Sequence, residues 1–367
     1  METTATYALF DADSNAFIIK EISIPELQPG EILVKVLYTT ICRSDLYTFQ
    51  GIRKEKNPTI LGHEIVGVIT DLHLSKPLKD LRGKVLSQGD RITWAIYASD
   101  PADPMSQKGL PQKAENLFKY GHEQDTAERQ LHGGLASHII LRVNTPIVCL
   151  SDSLPDNIAA LINCAVATVA GAFRLLGPVE NKILVVNGAG MLGVVACAMA
   201  KIQGASSIIA IDQDADRLLM AKEFGATRCC LPDAQQEGFN DVAGLPLSSF
   251  SADLLLDFTG KTTAMQASLD LLGIGGTAVW VGATYPQPPL QLNAEQVVRR
   301  LLTIRGLHNY NAQDLLAAVD FMEAHASVFG FENLVKGDFP LSSVTEGFLK
   351  GVTENPFRIG FKIAKQP

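Results

Sequence analysis

The stretch that most narrows the possible folds is Lys182-Ile-Leu-Val-Val-Asn187, followed by Gly188-Ala-Gly190-Met191-Leu192-Gly193 and an apolar run to about Gln203. An apolar strand passes through a glycine turn straight into an apolar helix. The same alternation continues downstream. Ser207-Ile-Ile-Ala-Ile-Asp212, Ala252-Asp-Leu-Leu-Leu-Asp257 and Gly276-Thr-Ala-Val-Trp-Val-Gly282 read as strands, with a helix over Ala215–Phe224. Cys229-Cys230 falls where a third parallel strand starts, and Leu302-Thr-Ile-Arg-Gly306 closes the unit. Near-continuous apolar strands alternating with helices indicate a parallel sheet covered on both faces. The expected fold class is α/β, with a doubly wound parallel sheet of the Rossmann kind over residues 166–308.

In that context the glycine turn is also a dinucleotide fingerprint. Gly188 permits the tight turn, Gly190 lets backbone approach a pyrophosphate, and Gly193 allows close helix–strand packing. Met191 and Leu192 open the helix, whose free N–H groups and dipole attract phosphate. Asp212 lies 19 positions after Gly193 at the end of the next strand, placed to accept hydrogen bonds from an adenosine ribose. A carboxylate there repels a 2′-phosphate, so NAD rather than NADP is the expected carrier. Arg217, five residues on, relaxes that choice in part.

At 367 residues the chain is long for one domain, and two are expected. Before Asp156 the pattern is one of short strands with turn punctuation, as in Glu31–Tyr38, Glu64–Thr70 and His138–Val143. Residues 98–130 are polar and rich in Pro, Gly, Lys and Glu, the mark of a functional loop or of a lobe with its own organisation. Asn157–Leu176 is Ala/Val/Leu-rich and helical in pattern. A helix over Asp314–His325 and the strand-like Phe357–Lys362 rejoin the first part, giving a domain of 1–165 with 309–367. A net charge of −8 and no basic run argue against a nucleic-acid surface. No segment reads as apolar over about 18 residues, so no membrane span is expected. The N-terminus lacks a basic region followed by an apolar one, and the six scattered cysteines form no C-x-x-C pair. Reduced thiols and a cytoplasmic location follow as expectations.

Taken singly, cysteines and histidines are more often packed than ligating. Here, however, Cys42-Arg-Ser-Asp-Leu, Leu61-Gly-His-Glu-Ile-Val-Gly, Gln88-Gly-Asp-Arg-Ile, Gly133-Gly-Leu-Ala-Ser-His and Asn163-Cys-Ala-Val-Ala-Thr precede the glycine turn in order. The chain thereby resembles the zinc-dependent medium-chain alcohol dehydrogenases over essentially its whole length. The resemblance implies a GroES-like, mostly-β catalytic domain beside the Rossmann domain. It implies that Cys42, His63 and Cys164 ligate one catalytic zinc whose fourth position is open to water or substrate. By the same resemblance Asp45 orients His63, Glu64 lies beside the metal and exchanges onto it, and Ser44 carries the substrate proton away. Arg43 and Arg358 then contact the cofactor pyrophosphate, and Arg217 the ribose. The implied reaction is hydride transfer between NAD(H) and a small alcohol or aldehyde activated by the Lewis acidity of zinc.

Two positions depart from the family pattern. Where many relatives end the proton relay in a histidine, this chain has Tyr47, and a phenol of pKa ~10 is a poor base near neutrality. The family's structural-zinc spacing falls on Asp100, Asp103, Ser106 and Ala114, so a single zinc per chain and a lobe held by packing and hydrogen bonds are expected. Within the family, Gly109-Leu-Pro-Gln-Lys, Leu117-Phe-Lys-Tyr-Gly-His and Val297-Val-Arg-Arg-Leu-Leu-Thr-Ile-Arg-Gly-Leu-His-Asn-Tyr are most similar to a subgroup associated with phosphonate catabolism. That similarity implies a phosphonate-bearing substrate, with Arg53, Lys54, Arg299 or Arg300 as candidate anion contacts. For His122, His132 and His308 a satisfied structural role is the better reading. The family resemblance also implies a homodimer or homotetramer, joined edge to edge through Thr277–Val281 and Leu301–Arg305. Two other readings compete: a zinc-independent NADPH enone or quinone reductase, against which the ligand set and Asp212 argue, and a non-catalytic NAD-binding scaffold.

Overall fold

The structure is a computed structural model, and the residues it describes are 3–233, 238–241 and 251–363. Two compact units divide the chain: residues 1–167, 311–327 and 331–367 form the first, and 168–310 with 328–330 the second.

The second unit is built on a seven-stranded sheet. In spatial order its strands are Gly238–Asp241, Arg228–Asp233, Ser207–Ile211, Ile183–Asn187, Ala252–Asp257, Leu272–Trp280 and Thr303–Gly306. All neighbours run parallel except the edge strand Gly238–Asp241. Leu184 stands between Ile208 and Leu254, and Val185 between Ile209 and Leu255. All are buried, which is why these strands read as unbroken apolar runs rather than alternating ones. Strand order reverses at Ile183–Asn187, where such sheets open a crevice for ligand, and the glycine turn follows that strand directly. One expectation is corrected here. Leu272–Trp280 is paired on both sides, so Thr277–Val281 has no free edge with which to join a second chain. The outer strand on that side is Thr303–Gly306.

The first unit carries a second seven-stranded sheet. Val335–Phe339, Arg358–Lys362, Ile32–Ile41, Glu64–Leu72, Arg91–Trp94 and Ile147–Cys149 lie in that order, and His138–Leu141 also pairs with Ile32–Ile41. Apolar side chains pack on two sides of it. Phe10, Phe49, Phe348 and Phe361 belong to one core, and Ile65, Trp94, Tyr120 and Ile139 to the other. The polar lobe is bracketed by Tyr97–Ala98 paired with Phe118–Lys119.

The helical run Asp156–Leu176 corrects another expectation. It is long and apolar enough to cross a membrane, with mean hydropathy 1.8, yet 72% of that window is buried inside the protein. Its apolar surface is core. The run is also not one regular helix. Asp156–Ala159 and Ala167–Leu176 are α-helical, and Ile162–Val166 between them is a π-helical turn, closed by Val166 N–H donating to Leu161 O at 3.2 Å.

Candidate functional site

Cys42 ends the strand Ile32–Ile41 and caps the helix Arg43–Phe49, and that cap fixes the first ligand. Its N–H donates to Asp45 Oδ2 at 2.9 Å, a capping-box contact. The other oxygen, Asp45 Oδ1, accepts from Gly62 N–H at 3.3 Å. It also lies 3.4 Å from His63 Nδ1, within ion-pair reach although Nδ1 makes no well-formed hydrogen bond. One buried carboxylate therefore ties the Cys42 turn to the His63 segment.

Cys164 arrives from the π-helical turn, a local widening that recurs at functional sites. Its neighbour Asn163 is fully buried and clamps the turn to the strand Glu64–Leu72. Asn163 Oδ1 accepts from Ile65 N–H at 3.1 Å, and Asn163 Nδ2 donates to His63 O at 3.1 Å. In the sequence Asn163 stands only as part of the Asn163-Cys164 motif. Its amide beside a cysteine in an apolar helix was the available signal.

Cys42, His63, Glu64 and Cys164 each offer a ligand atom, and these atoms all lie within 4.8 Å of one another. The Cys42 thiol is held well below its usual range by a hydrogen bond from Cys164, with Arg358 and His63 assisting against burial. That same bond, with burial, pushes Cys164 well up. Burial opposes a charge on His63, but Asp45 and Cys42 raise its pKa to about 10. Two sulfurs and an imidazole thus share protons in a water-poor site, and such protons are what a divalent zinc displaces on binding. The donor set fits that metal.

Glu64 is buried beside the set, and burial pushes its carboxyl up against the pull of Arg358. Arg358 braces that carboxylate. Its Nε donates to Glu64 Oε2 at 2.6 Å and its Nη2 to Glu64 Oε1 at 2.7 Å. Nη1 donates to Phe357 O at 2.8 Å, and Nη2 also lies 3.7 Å from Cys42 Sγ. The guanidinium is buried and committed to Glu64, with Cys42 Sγ beside it. Thr40 Oγ1 completes the cradle by donating to Glu64 Oε2 at 2.5 Å.

Arg43 and Ser44 occupy the first turn of the helix Arg43–Phe49, with Arg43 hydrogen-bonded to Asn355. Tyr47 sits on the same helix, and its carbonyl accepts from Ile52 and Arg53 N–H. In the lobe, Asp103 Oδ1 caps Pro104–Gln107 through Met105 N–H at 2.7 Å, and Oδ2 accepts from Glu115 N–H at 3.0 Å. Asp100 accepts from Ala102 N–H at 2.8 Å. His132 is fully buried and pushed down to about 3 by burial.

In the second unit, Gly188 turns with φ of +95°, and a Cβ at Gly193 would lie 2.0 Å from Gly188 O. No other residue fits the latter position. Gly190 caps the helix Met191–Ile202 without a side chain, so Met191 and Leu192 open it with N–H groups toward the turn. Asp212 accepts from Ala189 N–H at 2.7 Å and from Asp214 N–H at 3.0 Å, bracing the turn. Arg217 lies beside Gly190 and 3.5 Å from Asp214. The end of the preceding strand is tied by Asn187 Nδ2, which donates to Asp257 Oδ2 at 2.8 Å and to Ala264 O at 3.1 Å. Arg299 and Arg300 belong to this unit, and Arg53 to the first. Arg299 pairs with Glu295 at 2.9 Å, and Arg300 donates to the Leu269 and Leu272 carbonyls.

A GroES-like β domain with a cysteine–histidine–cysteine set, joined in one chain to a Rossmann domain, defines a class of metal-assisted dehydrogenases. The family comparison agrees on both halves: residues 28–151 match the alcohol dehydrogenase GroES-like domain and residues 192–324 the zinc-binding dehydrogenase domain. The chain belongs to the zinc-binding medium-chain dehydrogenase family of oxidoreductases. It is 28% identical to D-arabitol-phosphate dehydrogenase of Enterococcus avium over 95% of this chain and 93% of the relative. It is 26% identical to sorbitol dehydrogenase of Halalkalibacterium halodurans, covering 81% and 82% of the two chains. The solved alcohol dehydrogenase of Thermotoga maritima shares the fold with a TM-score of 0.89 at 24% identity, covering 99% of this chain and 100% of that one.

Proposed function

We propose that this chain transfers hydride between NAD(H) and a small alcohol, polyol or aldehyde, at a zinc held by Cys42, His63 and Cys164. The carrying observation is the convergence of those three side chains and Glu64 within 4.8 Å. Zinc bound there supplies the Lewis acidity that makes an alcohol proton labile near neutral pH. The chain's own residues do the rest. Asp45 holds His63 in orientation, and Arg358 with Thr40 fixes Glu64 beside the set. Ser44, on the turn after Cys42, passes the substrate proton outward, and the relay ends beyond Tyr47 in solvent. The glycine turn receives the pyrophosphate, and Asp212 selects NAD by its charge. Polyols are the substrates named in two of the relatives, and a phosphorylated or phosphonylated alcohol is the finer assignment. The reading includes a cytoplasmic setting and a homodimer or homotetramer. The outer strand Thr303–Gly306, with Leu301 at 70% and Val298 at 71% exposure near it, supports the joining edge.

The test is NADH absorbance with a panel of alcohols, run with metal analysis on the same protein. Reduction of NAD well above NADP, with about one zinc per chain, is expected. Equal use of the two cofactors contradicts the role of Asp212. Bound zinc and NAD without turnover favours a scaffold.

A further inference from the structure

Two segments of the first unit bring cations to the edge of the ligand set. One is the turn after Phe118–Lys119, closed by His122 N–H donating to Lys119 O at 3.1 Å. It packs so tightly that a Cβ on Gly121 would lie 2.6 Å from Gly62 O and 3.1 Å from His63 Cβ. The other is the loop after the helix Arg43–Phe49, folded back so that Arg53 N–H donates to Tyr47 O at 3.1 Å. Glu55 joins the two. Its Oε1 lies 2.6 Å from Arg53 Nη2 and 3.0 Å from His122 Nδ1, and the His122 ring sits 4.9 Å from that of His63.

The charges around this junction do not balance. Lys56 and Arg129 pair with Glu123, and Arg53 with Glu55. The Lys119 ammonium has no hydrogen bond or ion pair among the described residues. Burial pushes Lys119 down, with Arg53 and Lys113 adding repulsion that Glu55 and Cys164 oppose. Glu55 is thus the carboxylate that Arg53 and His122 share. A partly desolvated ammonium costs stability unless an anion answers it, and the surplus here is positive.

We propose that Lys119 and Arg53 form an oxyanion subsite beside the metal-ligand set, which takes the phosphate or phosphonate end of a short alcohol substrate. The proposal rests on the dehydrogenase reading for the word substrate, but not for the subsite. Lys119 supplies the uncompensated charge, and Glu55 serves to aim the Arg53 fork, the geometry that suits phosphoryl oxygens. A neutral alcohol leaves Lys119 unanswered, so discrimination against it follows from the charge left unpaired.

The probe is methylphosphonate, titrated calorimetrically into the zinc-loaded full chain, with inorganic phosphate as a second arm. Binding is expected to weaken about tenfold or more in Lys119→Gln and to recover in Lys119→Arg, about 1.4 kcal/mol per factor of ten. In turnover, the kcat/KM ratio of 2-hydroxyethylphosphonate, or of its phosphate-ester counterpart, to 1-propanol should fall by about tenfold or more in Lys119→Gln, mainly through KM. The arm with the larger ratio identifies the head group. Failure of the wild-type protein to bind either anion overturns the subsite, even if alcohols are oxidised. So does an equal loss on charged and neutral alcohols, or an equal loss of NADH affinity, which would give the cations to the cofactor. Anion binding that depends on Lys119 without turnover of any alcohol upholds the subsite and sinks the dehydrogenase reading.

Discussion

Asp257 offers the sharpest quantitative prediction, because its environment makes stability depend on pH in a known direction. It ends the strand Ala252–Asp257, fully buried. Oδ1 accepts from Thr259 N–H at 3.1 Å and Gly260 N–H at 3.2 Å, and Oδ2 from Asn187 Nδ2 at 2.8 Å. Burial outweighs these donors and raises its pKa from 3.8 to about 6. The folded chain therefore holds a proton that the unfolded chain has released. The stability this group contributes is full below the unfolded value and is lost as pH rises through about 6. With those two values, the contribution present at about pH 5 and absent at about pH 8 is about 1.4 kcal/mol. Asp257→Asn removes that dependence. It also sets an amide against Asn187 Nδ2, a loss of about 1 kcal/mol that does not vary with pH. Urea unfolding at the two pH values, followed by Trp280 fluorescence in a Trp94→Phe background, reads the second unit. Wild type minus variant should grow by about 1.4 kcal/mol on going to the lower pH. A difference that stays flat, or that grows toward high pH, refutes the account of Asp257.

Other perturbations have equally definite outcomes. Cys164→Ala should drop zinc content from about one per chain to near none by elemental analysis, since two remaining ligands do not hold the metal; retention of full stoichiometry removes Cys164 from the ligand set. Asn163→Ala leaves Ile65 N–H and His63 O without their clamp, a cost of about 2–4 kcal/mol in urea unfolding followed by Trp94; under about 1 kcal/mol would mean the π-helical turn is held by something else. Gly193→Ala forces a methyl to 2.0 Å from Gly188 O, and NADH affinity measured by fluorescence titration should fall by about a hundredfold or more, because the turn must open to relieve it.

The parts legible in the sequence were those set by local periodicity. The strand Ala252–Asp257 and the turn from Gly188 to Gly193 stand where apolar runs and glycines put them, because burial on both faces and a clash-free turn are local demands. The parts that escaped depend on residues far apart. The pairing of Arg358 with Glu64 spans 294 positions of sequence, and no local pattern announces it. The π-helical turn was invisible because Ile162-Asn163-Cys164-Ala165-Val166 has the composition of any buried helix, and its widening answers contacts made by Asn163 with another element. Val335–Phe339 was passed over as a strand since its sequence, Val-Lys-Gly-Asp-Phe, has a glycine and two charges; pairing with Arg358–Lys362 supplies what its own propensity does not. The sequence of Thr277–Val281 does not announce whether the strand's edges are taken, and both are.

The widened turn at Ile162–Val166 has a thermodynamic consequence of its own. An α-helix advances each residue by about 100° around its axis, so rewinding this turn to regular α geometry would swing Cys164 away from Cys42 and His63. A metal held by Cys42, His63 and Cys164 would therefore favour the widened turn over a regular helix. The stretch lies at the seam of the chain, with residue 167 the last of one unit and Thr168 the first of the next. A single-residue deletion here would turn the helix Ala167–Leu176 by about 100° relative to Cys164.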